Sequence, residues 1–457
     1  MPAVFQSRQL PYSARTLPLL ACGDLERIMA WRDGHAISTR EFLAEVSGLA
    51  AQLPNARYAV NLCEDRYRFL VAFCAIALAG QTNLLPASRT PQTIAETLQA
   101  WPASYALADR EPDPAPVRLF LLPSHGNKVD NSTRSIPMLA ADRVVAIGFT
   151  SGSTGQPRAN PKTWGSFCAS SAHNAHLLCG DDALNIVATV PAQHMYGLET
   201  SILLPLRSST AIHCGQPFFP ADIAHALAEV PAPRLLVTTP IHLRALLRTV
   251  PALPALEAIV TATAPLDAEL AAQAEHRYAT RVIEVFGSTE TCVIAHRRTA
   301  GNEAWQLYPD IALHPQPDGT VVEAPHFAGP TLLQDIVELL PSRQFILRGR
   351  NGDLLEIAGK RASLGDLNRR LLAIPGVEDG VVFTLDADTR GVRRLAALAV
   401  ASTLTDRDIL EALRLQIDPV FLPRPLRLVP ALPRNTTGKL PRADLIAALQ
   451  LRPATPR

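Results

Sequence analysis

The segment that decides the fold reads Phe149-Thr150-Ser151-Gly152-Ser153-Thr154-Gly155-Gln156-Pro157-Arg158. It follows the apolar run 144–148, so a buried strand leads into a turn rich in glycine and hydroxyl side chains. Glycine lets the backbone come close to an anion and expose its N–H groups, and the hydroxyls add further donors. The segment therefore predicts a phosphate-binding loop, with positive charge nearby on Arg158 and Lys162.

This loop differs from that of the P-loop NTPases. Their pattern requires Gly-Lys followed by Ser or Thr, whereas Gly155 is followed by Gln156 and Pro157. Taken alone, the segment also fits an ordinary solvated loop. The rest of the chain has to decide between the two interpretations.

Composition excludes several classes of protein. The 457 residues are 47% hydrophobic and carry 43 Lys+Arg against 42 Asp+Glu, which gives no general electrostatic reason to bind nucleic acid or anionic membranes. No apolar run reaches the ~18 residues of a membrane span, and the N-terminus lacks the apolar core of a signal peptide. Seven cysteines without a Cys-x-x-Cys pair favour reduced thiols, and hence a cytoplasmic protein, over disulfides or zinc.

Short apolar strands alternate with helices along most of the chain. We predict strands at 58–63, 184–191, 235–239, 258–263 and 281–286, and helices at 68–80, 221–230 and 240–250. Such alternation is typical of an α/β fold with parallel sheets covered by helices on both faces. In these sheets ligands bind beyond the carboxyl ends of the strands, where the loop at 149–158 lies.

The pattern changes near residue 348. A helix following Ser363, strands at 380–385 and 395–401 and a helix at 406–417 predict a compact α+β domain. We therefore expect a large N-terminal domain at 1–348 and a small C-terminal domain at 349–457.

Several short segments carry polar residues that an apolar core does not need. They are Gln193-His194-Met195-Tyr196-Gly197, Phe286-Gly287-Ser288-Thr289-Glu290, Gln334-Asp335, Arg348-Gly349-Arg350-Asn351-Gly352 and Thr437-Gly438-Lys439. In this order, and together with the loop at 149–158, they resemble the motifs of the adenylate-forming superfamily. That group contains acyl- and aryl-CoA synthetases, peptide-synthetase adenylation domains and luciferases, and the resemblance covers nearly the whole chain.

The resemblance implies a two-step reaction. A carboxylate attacks the α-phosphorus of ATP to give an acyl-adenylate and pyrophosphate, and a thiol then displaces AMP. It also implies that the small domain is mobile and rotates about a hinge near Gly352, replacing the face that carries Lys439 with one near Gly359 that admits the thiol. The work of such a protein is positioning and charge stabilisation.

The resemblance also implies a role for each motif residue. Thr289, Lys439 and His194 would act on the reacting groups, and Glu290 would ligate Mg²⁺, which needs few carboxylates beside phosphate oxygens. The ATP-binding residues would be Thr150, Ser151, Gly152, Ser153, Thr154, Gly155, Ala264, Phe286, Thr289, Asp335, Arg350 and Lys439. Asp335 and Arg350 would bind the ribose, and Phe286 and Ala264 the adenine. The acid pocket would include His194, Tyr196, Gly197 and Gly287.

The chain departs from the family pattern in three places. Many relatives have Pro-Lys-Gly after the phosphate loop, where this chain has Pro157 followed by Arg158, so either Arg158 or Lys162 replaces the usual lysine. The acidic turn reads Gln334-Asp335 instead of Gly-Asp, and the hinge position holds Gly352 instead of Asp or Lys. Glycine can absorb the dihedral change that a rotation requires.

The substrate is less sharply indicated than the reaction class. The loop and the residues that follow it resemble stand-alone ligases that load aryl or acyl acids onto carrier proteins in aryl-polyene-type pathways. An apolar pocket with few polar groups suits a hydroxybenzoate or cinnamate first and a medium or long fatty acid second. The thiol would belong to an acyl carrier protein's phosphopantetheine or to CoA. A non-catalytic nucleotide-binding relative is the alternative from another class.

Overall fold

The computed structural model describes residues 15–123, 135–151, 157–180, 183–317, 319–350, 354–357, 360–385, 394–435 and 438–450. The chain separates into two compact units. Unit 1 comprises Met1–Ile311 and Glu323–Thr331, and unit 2 comprises Ala312–Val322 and Leu332–Arg457. No helix among the described residues is long and apolar enough to cross a membrane.

Unit 1 alternates strands and helices, as the sequence predicts. Its strands are β1 (Thr16–Pro18), β2 (Ile28–Arg32), β3 (His35–Ser38), β4 (Tyr58–Asn61), β5 (Thr82–Leu85), β6 (Ser104–Ala108), β7 (Leu119–Leu121), β8 (Met138–Ala140), β9 (Val144–Ser151), β10 (Pro157–Thr163), β11 (Asn185–Ala188), β12 (Ala211–His213), β13 (Arg234–Thr238), β14 (Ala258–Thr261), β15 (Arg281–Ser288), β16 (Cys292–Arg297) and β17 (Trp305–Leu307). Its helices are α1 (Thr39–Ala50), α2 (Arg66–Leu78), α3 (Pro91–Ala100), α4 (Trp164–Leu178), α5 (Met195–Leu198), α6 (Leu204–Arg207), α7 (Pro220–Glu229), α8 (Pro240–Thr249) and α9 (Ala268–Tyr278), with a π-helical turn at Glu199–Leu203.

Two sheets form the centre of unit 1. The first has the order β10-β9-β5-β4-β6-β7, parallel except for the antiparallel β9–β10 pair. In the second, β15, β14, β13, β11, β12 and β2 are parallel neighbours, while β16 and β3 join antiparallel at the sides. The α/β class with helix-covered parallel sheets is confirmed.

The core explains why these segments form as they do. Helix α2 is buried along almost its whole length, so its sequence is apolar on every side. Strands β11, β13 and β14 are covered on both faces and read as continuous apolar runs. Because these strands are parallel, their carboxyl ends, at Ala188, Thr238 and Thr261, lie at the same edge of the sheet.

Unit 2 has a core of its own. Its strands include β18 (Ala312–Gln316), β19 (Gly319–Glu323), β20 (Thr331–Leu333), β21 (Asp335–Leu340), β22 (Gln344–Arg350), β23 (Leu354–Ile357), β24 (Lys360–Ser363), β25 (Asp379–Thr384), β26 (Leu395–Val400) and β27 (Leu426–Leu428), and its helices α10 (Leu364–Leu372), α11 (Asp406–Arg414) and α12 (Arg442–Gln450). One face of the sheet β25–β26–β27 packs on residues of α10 and α11, and the other packs on α12. The domain boundary predicted at 348 stays a prediction.

Candidate active site

The predicted phosphate loop joins two antiparallel strands. β9 ends at Ser151 and β10 begins at Pro157, and these two residues lie opposite each other. Thr150 lies at the end of β9, where its hydroxyl accepts a hydrogen bond from Asn160 Nδ2 at 3.2 Å. The predicted ligands Gly152, Ser153, Thr154 and Gly155 lie outside the described residues.

Thr289 comes close to the strand that leads into this loop. A Cβ atom on Gly148 would lie 2.6 Å from Thr289 Cγ2 and 3.4 Å from Met195 Cε. The structure therefore brings together the strand before the phosphate loop, the Thr289 turn and the residue that follows His194. These three segments come from widely separated parts of the sequence.

Glu290 lies in a turn that the protein holds by its backbone. Ser288 Oγ accepts hydrogen bonds from the amides of Glu290 and Thr291, both at 3.2 Å. Within the described residues the half-buried Glu290 carboxylate has no hydrogen bond or ion pair. A single uncommitted carboxylate fits Mg²⁺, which takes one or two carboxylates beside phosphate oxygens. The described residues contain no cluster of three or more His, Cys, Asp or Glu that would form a metal site without a nucleotide.

Tyr196 is anchored by its hydroxyl. This group donates to Val260 O at 2.8 Å, and Thr238 O lies 3.1 Å away, at the carboxyl ends of β14 and β13. Its one proton is therefore used inside the protein, and burial raises the pKa of the Tyr196 hydroxyl well above its ordinary range. The predicted contact of this hydroxyl with a substrate ring remains a prediction, and the two backbone carbonyls compete with a substrate for the proton.

The other predicted pocket residues lie nearby along the chain. His194 is half-buried at the N-cap of α5. Gly197 and Gly287 are required by close backbone approaches, because a Cβ would lie 2.2 Å from Pro191 O and 2.1 Å from Cys292 O respectively. Packing thus explains both glycines, and their place in the acid pocket is a separate prediction.

Sequence reasoning missed a polar cluster at the same sheet edge. His242, in the first turn of α8, has Nδ1 3.1 Å from both Thr189 Oγ1 and Thr239 Oγ1. Burial lowers the pKa of His242, which keeps the ring neutral near pH 7. Phe218 meets the ring edge-on at 5.1 Å between centroids. Thr238 and Thr239 at the end of β13, followed three residues later by His242 in α8, were the available signal.

The residue before Ala264, which is a predicted adenine contact, has a strained backbone. Thr263 adopts φ 77°, a left-handed conformation that β-branched residues rarely take, and its buried hydroxyl oxygen has no partner among the described residues. Ala264 follows it and is half-buried. The Phe286 ring lies 5.4 Å from the Trp305 ring, so it is held from one side.

Unit 2 aligns the two residues predicted to bind ribose. Asp335 begins β21 and pairs in register with Arg350 at the end of β22. Asp335 is buried, and its backbone oxygen accepts a 2.6 Å hydrogen bond from Thr320 Oγ1. Strand pairing thus places them directly opposite each other, although they are fifteen positions apart in sequence.

The loop that carries Lys439 is tied at its base. Arg434 forms a bidentate ion pair with Asp379 at 2.8 and 3.1 Å and donates to Gly438 O at 2.9 Å. Lys439 N donates to Asn435 Oδ1 at 2.9 Å, and Gly438 has the positive φ of 78° that favours glycine. Lys439 itself is exposed. The predicted hinge residue Gly352 lies outside the described residues.

The family profile for AMP-binding enzymes matches residues 24–314. The chain belongs to this family. Membership of the adenylate-forming superfamily is thereby confirmed, and the chain is an AMP-forming acid–thiol ligase that uses ATP to activate a carboxylic acid.

Individual proteins of the family are similar to this AMP-binding enzyme over much of its length. A 4-coumarate–CoA ligase from Rhodobacter capsulatus is 28% identical over 330 residues, which cover 70% of this chain and 82% of the relative. ATP-bound MatB from Rhodopseudomonas palustris superposes with a TM-score of 0.77 at 19% identity, covering 92% of this chain and 95% of that one. The o-succinylbenzoate CoA synthetase MenE from Bacillus subtilis gives 0.75 at 17% identity, covering 94% and 96%. The two structures show the shared fold.

Proposed function

We propose that this ligase activates an aromatic carboxylic acid of the hydroxybenzoate or cinnamate type with ATP and Mg²⁺. The observation that carries the aromatic assignment is the similarity to a 4-coumarate–CoA ligase over 70% of the chain. The polar cluster at the carboxyl ends of β11 and β13 supports it, because a neutral imidazole and threonine hydroxyls beside an exposed phenylalanine suit a flat ring with a polar substituent. A medium or long fatty acid is the second candidate.

In the proposed first step the chain binds ATP by its phosphates, ribose and adenine. Residues 150–155 hold the β- and γ-phosphates, Thr289 contacts the α-phosphate, and Asp335 with Arg350 binds the ribose hydroxyls. Glu290 would hold Mg²⁺, which would neutralise charge on the phosphate oxygens. Lys439 supplies positive charge to the α-phosphate and the attacking carboxylate, so the carboxylate oxygen bonds to the α-phosphorus as pyrophosphate leaves.

In the proposed second step a thiol takes the acyl group and AMP leaves. The acceptor is the phosphopantetheine of an acyl carrier protein or the thiol of CoA, and the part of the chain after Gly352 rotates to admit it. Replacing Gly352 with Pro is expected to block thioester formation and spare adenylation, because proline fixes φ at the hinge. An equal loss of both steps contradicts the hinge.

The first experiment is to measure pyrophosphate release with ATP and Mg²⁺ against benzoates, cinnamates, fatty acids and malonate, with no thiol present. Release that depends on a hydroxybenzoate or cinnamate, with formation of the acyl-AMP ester, supports the proposal. Release only with a fatty acid or with malonate overturns the aromatic assignment. The Glu290→Gln and Asp335→Asn variants serve as controls that the release comes from this site. Addition of CoA or a phosphopantetheinylated carrier protein then identifies the acceptor.

A further inference from the structure

Lys162 is buried directly behind the turn that carries Glu290. Only 7% of the residue is exposed, and its Nζ donates to Glu290 O at 2.5 Å. A buried ammonium is costly unless it has an opposite charge and hydrogen-bond acceptors close by. The acceptors and ionisable groups near Lys162 therefore show which part of the site it supports.

A second buried ionisable group lies near this turn: Glu199, which is 1% exposed at the start of the π-helical turn. Its carboxylate accepts from Ser170 Oγ at 2.6 Å and from Val293 N, 3.1 Å from both oxygens. Burial raises the pKa of Glu199, while these hydrogen bonds and the charge of Lys162 oppose the rise. Asn174 Nδ2 lies 3.4 Å away, and its side chain is oriented by Tyr308, whose hydroxyl donates to Asn174 Oδ1 at 2.8 Å.

The two buried side chains hold the Glu290 turn at two points. Lys162 binds the carbonyl of Glu290, and Glu199 binds the amide of Val293, three residues later. Between these points Cys292 adopts φ 63°, a left-handed conformation that costs about 1–3 kcal/mol in a non-glycine residue. Such a backbone persists only where its surroundings fix it, and these anchors supply that constraint.

We propose that Lys162 and Glu199 are two buried positioning residues that fix the Thr289–Glu290 turn for metal-bound ATP. The pair rests on the proposed roles of Glu290 and Thr289. Lys162 thus serves the metal side of the site through the backbone and does not replace the missing phosphate-loop lysine. Arg158, which is exposed on the same strand, is left as the cation for the phosphates.

Calorimetry separates a positioning role from phosphate binding. ATP affinity is measured in EDTA and again across a Mg²⁺ titration, for the full chain and for Lys162→Met. We expect Lys162→Met to leave metal-free ATP affinity within about twofold and to raise the Mg²⁺ concentration for half-maximal tightening at least ~10-fold, because a charge-assisted hydrogen bond to the turn is lost. A ~10-fold loss of metal-free ATP affinity instead makes Lys162 a phosphate ligand and overturns the proposal.

A double-mutant cycle tests whether Lys162 acts through Glu290. The Mg²⁺ effect of Lys162→Met is expected to vanish in a Glu290→Gln background, since coupled residues are non-additive. Full additivity contradicts the proposal. His176→Gln, on the exposed face of α4, is the control and is expected to match the unaltered protein in both titrations.

Two further variants test the proposal even if Lys162→Met does not fold. Glu199→Gln keeps the side-chain shape, and Ser170→Ala removes one donor to Glu199; both are expected to shift the Mg²⁺ requirement in the same direction, Ser170→Ala by about 2–5-fold. An unchanged requirement in both variants overturns the proposal even if Lys162→Met does not fold. Because the readout is ATP binding without an acid, it stays informative if no acid on the substrate panel reacts.

Discussion

Gly148 and Thr289 lie so close that a Cβ on Gly148 would stand 2.6 Å from Thr289 Cγ2. Real Cβ contacts do not occur at this distance, so alanine at 148 must displace the threonine or the strand. We expect Gly148→Ala to lower kcat/KM for ATP by at least ~10-fold and to destabilise the fold by about 1–3 kcal/mol. Pyrophosphate release and thermal unfolding measure the two effects.

A compensating substitution at Thr289 tests whether this contact causes the defect. Serine lacks the threonine methyl, so Gly148→Ala combined with Thr289→Ser is expected to recover part of the lost activity. Gly48→Ala, in α1 with no atom within 4 Å of the added carbon, is expected to retain full activity. Failure of the serine to rescue the alanine places the defect elsewhere than in this contact.

Tyr196→Phe tests whether the tyrosine hydroxyl has a structural or a substrate role. Removing it leaves the carbonyls of Val260 and Thr238 without this donor, and we expect a loss of about 1–2 kcal/mol in stability. The ratio of kcat/KM for 4-hydroxybenzoate over benzoate should stay within about twofold. Tyr278→Phe, which removes a comparable hydrogen bond to Val250 O, is the matched variant. A collapse of the ratio in Tyr196→Phe alone assigns the hydroxyl to the substrate.

The Lys439 loop offers a graded pair of variants. Lys439→Ala is expected to lower the rate of adenylation strongly and to affect the rate of transfer from preformed acyl-adenylate much less. Asn435→Ala keeps the charge but removes the acceptor for the Lys439 amide, so we expect a smaller loss, about 3–10-fold, in the same step. Half-reactions with ATP and with isolated adenylate measure each step separately. An equal fall in both half-reactions for Lys439→Ala contradicts a role confined to the first step.

His326 gives the stability a definite pH dependence. Burial, with the charges of His173 and Lys162, lowers the pKa of His326 from 6.5 to about 4. The unfolded chain takes up this proton below about pH 6.5 and the folded protein only near pH 4, so stability falls as the pH drops through this window. Integrated over the window the loss is about 3 kcal/mol.

Denaturant unfolding between pH 7 and 4 measures this dependence. The His326→Gln variant is expected to lose less stability than the unaltered chain over the window. Burial also lowers the pKa of His173, His242 and His296, so part of the slope should remain. Identical slopes for the two proteins exclude His326 as a source.

The sequence predicted elements better than it predicted contacts. The strand expected at 281–286 is found at Arg281–Ser288, and the helix expected at 240–250 at Pro240–Thr249. These follow from apolar periodicity and capping, which are local. The antiparallel return of β10 was not predicted, because its run Pro157–Thr163 is polar and contains two prolines, so only its pairing with β9 makes it a strand.

The candidate site divides along the same line. The motif residues could be predicted because each lies in a short recognisable segment. Glu199 and Lys162 were not assigned their roles, because the partners that explain them, Val293 and Glu290, lie 94 and 128 positions further along. A buried charge is recognisable as such only when the fold supplies its partner, and no local pattern contains that information.

The polypeptide passes between the two units three times. It passes from unit 1 to unit 2 after Ile311, returns after Val322 and crosses again after Thr331. A unit attached by three covalent connections cannot rotate about a single residue, since all three connections must bend together. The segment that follows Gly352 in the sequence has one covalent connection to the residues before it, and a single pair of dihedral angles can rotate it. The rotation proposed about Gly352 is therefore expected to involve less of the chain than unit 2, without β21 and the start of β22.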